Sequence, residues 1–435
     1  MSTNGNDSAG ANGDDLPVDR GESKSNDATT IIESLNNLGS CNMEVDGSIL
    51  EGGGQMIRTS LSLSIALGIR LKLVNIRGKR KPPGLGNQHT AGVKLSRQLS
   101  GGGTMIGDSF GSRELEYIPV DVNEMSELKT EYLCDAVTAG SITLMQQIAM
   151  PILLLHNNRR NSVTEEISKK QKHNENKAIK LTFLGGTNVN MSPPIDHYSL
   201  VLFPLLRRMG INVYLGEVKR GYYPQGRGRV SMSVEITPKF INDVRFQPLN
   251  LIEQGTIVEI VGEVFGDCHS DIKSKLKNDM LHAIQLQLSS LGTVTESIPV
   301  TINDAVERQT TNKVINVGIQ LVIRTSSDCL LQVNHLWTFK KTEPIIPMTS
   351  VVSVASKLFN LHKCGACIDE NTADQMIIYM AFAKGSSMLV EPVSADSTQH
   401  LSAVIFLVEK FTDAKFSIAE DSRGCRLVTC VRSHG

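Results

Sequence analysis

The stretch that decides the fold is Glu44-Val-Asp-Gly-Ser-Ile-Leu-Glu-Gly-Gly-Gly-Gln-Met-Ile-Arg58. Residues 44–50 alternate like a short strand, the glycines at 52–54 interrupt it, and a helix is expected from Gln55 to Leu67. The glycines let backbone N–H groups approach a ligand, and the helix that follows presents free N–H groups to an anion. A tight glycine turn with a surface arginine would explain the same residues. This stretch alone therefore leaves a binding role and a structural role open.

The order strand, helix, strand, helix, strand, strand runs outward from this stretch to Tyr117. A similar order recurs over Thr138–Ile236 and again over Ala373–Cys430. It predicts an α/β (α+β) fold whose large domain has three repeated strand–helix units, each a four-stranded sheet backed by helices. One intervening block has a long helix and no glycine-rich loop, which predicts a smaller inserted α/β domain. The predicted boundaries are a disordered tail over 1–42, the large domain over 43–237 and 347–433, and the inserted domain over 238–346.

Composition narrows the class of protein. The chain has 435 residues with 40% hydrophobic content, enough for a core, and no apolar run long enough for a transmembrane helix is found. No secretory signal is expected, and eight scattered cysteines suit a reducing, intracellular compartment. Residues 1–36 carry seven acids and two bases, so the formal net charge of -1 conceals a mildly basic remainder. Such a charge permits an anionic partner without requiring one.

A second motif is Arg77-Gly-Lys-Arg80-Lys-Pro-Pro-Gly-Leu-Gly-Asn-Gln88-His89, in which four cations fall within five residues. Arginine binds phosphate oxygens through two parallel hydrogen bonds, so one interpretation is a phosphate clamp. A solvated basic loop is the usual explanation of such a charge run and stays open.

A third motif is His400, which is followed by apolar residues at helical spacing. The spacing predicts that His400 lies in the first helical turn, where the helix dipole keeps the imidazole neutral and nucleophilic. A polar surface histidine is the alternative. Ala373-Asp374-Gln375 opens another predicted helix and requires no function by itself. Cys364-Gly-Ala-Cys367 lacks a second Cys/His pair at suitable spacing, which favours two ordinary thiols over a zinc site.

Together these motifs resemble RNA 3'-terminal phosphate cyclases, over about residues 43–432. Further landmarks of that family match at Thr138–Gln147, at Leu184–Asn188 and at Arg220–Pro224. The family's usual run of three glycines after Tyr-Pro reads Gln-Gly-Arg227-Gly here. The resemblance implies a large domain of three repeated units with a smaller inserted domain, in agreement with the repeat pattern.

The resemblance also implies an ATP-dependent conversion of an RNA 3'-terminal phosphate to a 2',3'-cyclic phosphate, through a covalent AMP-histidine and an RNA(3')pp(5')A intermediate. It assigns His400 as the catalytic nucleophile, with Mg²⁺ or Mn²⁺ near Glu51 and Asp374. The implied partners are ATP and RNA 3'-phosphate ends, with no membrane and no stable protein partner. The implied compartment is the nucleus (nucleoplasm), with the cytoplasm as a second location. The residues implied in ATP and phosphate binding are Glu51, Gln55, Arg58, Arg77, Arg80, Gln88, His89, Gln147, Tyr223, Pro224, Asp374 and Gln375.

Two other functions are weighed against this one. Cyclase-like ribosome-assembly factors lack the nucleophilic histidine and the Glu-Gly-Gly-Gly-Gln sequence, both of which are present here. Enolpyruvyl transferases use similar repeated units but do not need a late histidine at a helix start. Covalent labelling by ATP carrying a labelled α-phosphate is expected of the cyclase alone and therefore separates the three.

Overall fold

The computed structural model describes residues 42–161, 177–236, 246–292, 298–305, 314–340 and 345–432. The predicted tail lies outside these ranges except for Asn42. A polar stretch was predicted to be a surface loop, and its central residues, 162–176, also lie outside these ranges. Within the described ranges, no helix has the length and apolar character needed to cross a membrane.

The first unit is a four-stranded sheet of order β1-β2-β4-β3. Strands β1 and β2 are parallel, with Val45 opposite Leu73, whereas β4 runs antiparallel to both of its neighbours. The first helix ends because Gly68 takes a left-handed conformation with φ of 69°, which glycine adopts without steric cost. The unit comprises β1 (Asn42–Asp46), α1 (Gly54–Leu67), β2 (Arg70–Val74), α2 (Asn87–Leu99), β3 (Thr104–Ile106) and β4 (Leu115–Ile118).

The second unit repeats this topology with the order β5-β6-β8-β7. Its helix α4 is continuous through three pieces, Ile195–His197, Tyr198–Leu202 and Phe203–Arg208, of which the middle piece is a π-helical turn. Its other elements are β5 (Glu131–Asp135), α3 (Ile142–Asn161), β6 (Lys177–Gly185), β7 (Val213–Lys219) and β8 (Gly228–Ile236). The predicted repeat therefore appears in both the strand order and the pairing sense.

The third unit has the same order, β9-β14-β16-β15, but its first strand stands far from the rest in sequence. Asn250 and Leu251 of β9 pair in parallel with β14, so the chain leaves this sheet and returns to it after the inserted block. The unit comprises β9 (Asn250–Leu251), α7 (Glu370–Ala381), β14 (Ser387–Pro392), α8 (Ala395–Phe411), β15 (Ala414–Glu420) and β16 (Cys425–Arg432).

The inserted block forms a fourth sheet, of order β11-β10-β12-β13. Two helices pack with it, and α6 contacts both β13 and α5. The predicted boundaries placed β9 in the inserted domain, but β9 pairs with the third sheet. They placed α6 in the third unit, but α6 packs on the inserted sheet. The elements are β10 (Ile257–Gly266), α5 (Ser270–Ser290), β11 (Val300–Asp304), β12 (Val314–Thr325), β13 (Leu330–Lys340) and α6 (Met348–Lys363).

The core that positions the site is made where helices of the three units meet. Helix α1 packs against α3 of the second unit and α8 of the third, and α7 packs against α8. Leu61, Ile152 and Val404 are examples of fully buried apolar residues on these helices. Burying these apolar faces against one another brings residues that are hundreds of positions apart in sequence to one place.

Candidate active site

A hydrogen-bond chain joins the first and third units at the centre of the site. Asp374 Oδ2 accepts from Gln55 Nε2 at 2.8 Å, and Gln55 Oε1 contacts His400 Nδ1 at 2.6 Å. Gln55 lies on the first turn of α1, whereas Asp374 and His400 lie on α7 and α8. Three of the predicted site residues are thus in direct contact.

The direction of the hydrogen bonds between Asp374, Gln55 and His400 determines which ring nitrogen of His400 carries the proton. An ionised carboxylate only accepts hydrogen bonds, so Asp374 orients the Gln55 NH₂ group toward itself and the Gln55 carbonyl oxygen toward the imidazole. The Gln55 oxygen then requires a proton on His400 Nδ1. In the neutral ring this leaves Nε2 unprotonated, with its lone pair available as a nucleophile.

The prediction that His400 lies in the first turn of its helix is wrong. Helix α8 begins at Ala395, so His400 is its sixth residue and lies in the second turn. The helix starts early because the Ser394 carbonyl already accepts the Thr398 N–H at 3.1 Å. Since the dipole effect fades beyond the first turn, the expected influence of the dipole on the ring does not apply, and the Gln55 contact determines which nitrogen of the neutral ring carries the proton.

Asp374 is a buried carboxylate with one oxygen left over. Burial raises its pKa to about 6, while His400, the Gln55 hydrogen bond and Arg58 act in the opposite direction. Among the described residues, Asp374 Oδ1 has no hydrogen-bond partner. An orphaned buried carboxylate oxygen is costly unless a ligand satisfies it, so this atom points to a bound group.

A small cleft opens beside this hydrogen-bond chain, with contributions from all three units. Arg58 Nε donates to Gln147 Oε1 at 2.9 Å, and Tyr198 OH donates to Gln375 Oε1 at 3.3 Å. Burial lowers the pKa of Arg58 and is opposed by Glu51 and Asp374, so the guanidinium stays charged. The lining residues are Gln55, Arg58, Thr59, Gln147, Met150, Pro151, Tyr198, Leu202, Asp374, Gln375, Ile378, Tyr379 and Val404.

Two tyrosines of this lining were missed from the sequence. Tyr379 follows Gln375 by four residues, so helical spacing places the two on one face of α7, and that signal was available. Tyr198 reaches the cleft from the π-helical turn of α4, a feature for which the sequence carries no recognised signal. Its single hydroxyl proton is shared between Gln375 Oε1 and the nearer Thr143 carbonyl oxygen, which lies 2.8 Å from the Tyr198 oxygen.

The start of α1 forms a second part of the site, next to His89 and Arg58. A side chain at Gly54 would bring its Cβ within 2.7 Å of His89 Nε2 and 2.8 Å of Arg58 Nη1, so any other residue there would displace one of these two side chains. His89 Nδ1 accepts from the Gly86 N–H at 3.1 Å, which leaves the ring proton on Nε2. Burial, Arg58 and Arg77 lower the pKa of His89 to about 3, so it is a neutral donor. No described side chain caps this helix, and its N–H groups remain available to an anion.

Several predicted phosphate ligands are engaged with other protein groups. Arg80 Nη2 pairs with Glu51 Oε1 at 2.9 Å, and Glu51 Oε2 accepts the Gly53 N–H at 2.7 Å. Arg77 donates to the Gly84 carbonyl at 2.9 Å. Gln88 Oε1 accepts the Ser141 N–H at 3.0 Å, at the start of α3. The Arg80–Glu51 pair joins the two loops of the first unit, and the Gln88 contact joins α2 to the start of α3.

Tyr223 and Pro224 lie on the loop between β7 and β8, and no described hydrogen bond connects them to the cleft. The Tyr223 carbonyl instead accepts from Asn316 Nδ2 of the inserted sheet at 2.9 Å. In the same loop, Arg227 stands where the resembled family has glycine and takes φ of 57°. A non-glycine residue in this left-handed conformation is uncommon and disfavoured, so the backbone there keeps the shape that glycine suits.

The carboxylates fit a metal ion only in company with substrate. No group of three or more His, Cys, Asp or Glu side chains in the described ranges is arranged to hold a metal ion. Both Glu51 oxygens have protein partners, whereas Asp374 Oδ1 has none. Mg²⁺ commonly takes one or two carboxylates together with substrate phosphates, and this donor set is compatible with that arrangement.

Comparison with known proteins identifies the family. The sequence model of the family described as RNA 3'-terminal phosphate cyclase matches residues 49–418. A protein named RNA 3'-terminal phosphate cyclase from Drosophila melanogaster is 29% identical, over 89% of this chain and 96% of its own. Proteins of the same name from Saccharolobus solfataricus and Pyrobaculum neutrophilum are 29% and 31% identical, covering 87% and 86% of this chain and 96% and 94% of their own. The chain therefore belongs to the RNA 3'-terminal phosphate cyclase family, as its motifs indicated.

Proposed function

We propose that this protein uses ATP to convert RNA 3'-terminal phosphates to 2',3'-cyclic phosphates, with His400 Nε2 as the nucleophile. One observation carries the proposal: the chain from Asp374 through Gln55 to His400 Nδ1, which leaves Nε2 unprotonated. The family to which the chain belongs supports the overall reaction. The hydrogen-bond chain supports the covalent step.

In the first step the Nε2 lone pair attacks the α-phosphorus of ATP. An N–P bond forms, the bond to the bridging oxygen breaks, and pyrophosphate leaves. His400 becomes positively charged as it attacks, and Gln55 and Asp374 stabilise the proton that stays on Nδ1. Arg58, the His89 Nε2–H and the first N–H groups of α1 would bind the negative phosphate oxygens.

In the later steps an oxygen of the RNA 3'-phosphate attacks the AMP phosphorus, the N–P bond breaks, and RNA(3')pp(5')A forms. The neighbouring 2'-OH then attacks the activated phosphorus and releases AMP. Because this step needs a 2'-OH, RNA rather than DNA is the expected substrate. Mg²⁺ or Mn²⁺, held by Asp374 and the phosphates and less directly by Glu51, would offset phosphate charge.

Cellular location stays a prediction. The nucleus, or the nucleus together with the cytoplasm, is expected from the RNA substrate and the eukaryotic look of the long polar tail. Proteins of the same name occur in the archaea Saccharolobus and Pyrobaculum, so family membership by itself does not favour a nucleus.

The test is incubation of the full chain with ATP labelled on the α-phosphate, followed by gel electrophoresis. Covalent label that is lost in acid and kept in alkali is expected, as for a phosphoramidate. His400→Ala should abolish it while circular dichroism and the melting temperature stay close to wild type. His269→Ala, an exposed histidine on the inserted block, is the matched control.

Label retained by His400→Ala would place the nucleophile elsewhere. Absence of label from the wild type would instead favour the ribosome-assembly function, which no described feature of the site supports. An RNA 3'-phosphate whose terminal nucleotide lacks the 2'-OH separates the later steps, because it should accumulate as the adenylylated RNA without cyclising.

A further inference from the structure

Four cysteines converge where the inserted sheet meets the third unit. Cys329 lies in the turn between β12 and β13, Cys364 and Cys367 follow α6, and Cys425 opens β16. Cys425 Sγ lies 3.2 Å from Cys364 Sγ, and the Cys329 and Cys367 thiols lie close enough to each other to shift each other's pKa. The sequence shows no second Cys/His pair near the Cys364-Gly-Ala-Cys367 motif, but the fold brings Cys329 and Cys425 to it.

The arrangement is one of pairs rather than a metal cage. Within the described ranges no three such side chains are placed to hold one ion. Cys425 and Cys364 are instead in direct contact. A disulfide bond is about 2.05 Å long, so rotation of the two side chains has to close a gap of roughly 1.2 Å.

We propose that Cys364 and Cys425 are a reversible oxidation site, at which a hydroperoxide converts the two thiols to a disulfide. Their contact selects this pair among the four. The bond would join the end of α6 to the start of β16, across 61 residues of sequence.

The neighbours of the pair determine which sulfur reacts first. Cys364 is partly exposed, whereas Cys425 is buried, and burial together with the contact to Cys364 raises the pKa of the Cys425 thiol to about 12. The Arg423 guanidinium lies close enough to both sulfurs to interact with their charges, although it also pairs with Asp421 at 2.6 Å. Cys364 is the more accessible of the two sulfurs, so it meets the peroxide and attacks first.

The chemistry balances in two steps. The Cys364 thiolate attacks one peroxide oxygen, the O–O bond breaks, and Cys364 becomes a sulfenic acid while the peroxide is reduced to an alcohol or water. The Cys425 sulfur then attacks the Cys364 sulfur, the S–O bond breaks, and water leaves with the thiol proton. The two sulfurs together lose two electrons, and the peroxide gains them.

The bond is expected to stabilise the protein and to leave the active site in place. Helix α7, which carries Asp374, is held by separate contacts: the Cys367 N–H donates to the Val390 carbonyl at 2.8 Å, and the Asp369 carboxylate caps the helix. A disulfide that closes a long loop restricts the unfolded chain, so the melting temperature should rise by several degrees.

The experiment treats the reduced full chain with hydrogen peroxide, blocks the remaining thiols by alkylation, and maps disulfides by proteolysis and mass spectrometry. The expected result is one dithiothreitol-reversible cross-link between the peptides of Cys364 and Cys425, together with the higher melting temperature. Cys364→Ser and Cys425→Ser should each abolish both effects. Cys430→Ser, a buried cysteine on the same strand as Cys425, should retain both.

Several outcomes would overturn the proposal. A dominant cross-link between Cys329 and Cys367, between Cys364 and Cys367, or to Cys41 would show that another pair reacts. Sulfinic acid on Cys364 without any cross-link would show that Cys425 does not resolve it. One zinc ion per purified reduced chain would make the cluster a metal site. If Cys425→Ser fails to fold, the partly exposed Cys364→Ser decides the result.

Discussion

Replacing the buried Asp374 by asparagine should make the protein more stable and less active. Burial raises the pKa of Asp374 from 3.8 to about 6, so the folded state disfavours its ionised form. At 1.36 kcal/mol per pKa unit, this ionisation costs about 3 kcal/mol of folding free energy above pH 7. D374N removes that cost while its amide oxygen can still accept from Gln55.

The pH dependence follows from the sign of the shift. A carboxyl group with a raised folded-state pKa costs nothing well below its unfolded pKa of 3.8, where both states are protonated, and the cost grows as pH rises toward the folded pKa of about 6. The stability advantage of D374N should therefore fall from about 3 kcal/mol at pH 7.5 to about half of that at pH 5. Loss of the ionised Asp374 should also slow formation of the AMP–enzyme.

The assay is reversible urea unfolding at both pH values, followed by circular dichroism and by the fluorescence of Trp337, the single tryptophan. Exposed Glu420→Gln is the control for loss of one negative surface charge and should change stability by less than about 0.5 kcal/mol. A D374N variant that is less stable than wild type, or an advantage independent of pH, would refute the reasoning. It would mean that Arg58 and His400 outweigh burial.

The other predictions concern the start of α1 and the tail. Gly54→Ala forces a Cβ against His89 and Arg58, so single-turnover formation of the AMP–enzyme should fall at least tenfold without loss of melting temperature. The control is Gly92→Ala, whose Cβ meets only ordinary contacts. Equal rates for the two variants would contradict the close-approach argument. Arg58→Ala should slow the same step about 10²–10³-fold, with partial rescue by Arg58→Lys; a lower melting temperature at an unchanged rate would make this arginine structural. Deleting residues 1–40 should leave cyclisation unchanged, and a large loss would place the tail in the site.

The repeat architecture could be predicted because it depends on local patterns. Alternation, helical spacing and glycine breaks specify one strand or helix at a time, without reference to distant residues. The same patterns located Gln55, Asp374 and His400 at or near helix starts. They misjudged the start of α7, which was predicted at Ala373 and lies at Glu370, by three residues. They misjudged the start of α8 by five residues, since nothing in Ala395–Gln399 distinguishes a helical turn from a polar loop.

Local sequence patterns could not predict which distant strands pair or which sheet a helix packs on. Two residues of β9 carry too little sequence to reveal that they pair with β14 across the inserted block, and a continuous helix such as α6 does not indicate which sheet it packs on. The pairing of Cys364 with Cys425 has the same origin, because side chains of distant segments meet only when their strands and helices are packed.

The sequence by itself determined the class of elements, their threefold recurrence and the residue types available for phosphate chemistry, because periodicity and motif spacing are properties of neighbouring residues. Only the tertiary structure decided what those residues can do. Packing α8 against both α1 and α7 places Gln55 between Asp374 and His400, and that contact places the proton of the neutral ring on Nδ1 and leaves Nε2 free. A tautomer depends on hydrogen-bond partners 2.6–2.8 Å away in space, which no spacing along the chain specifies.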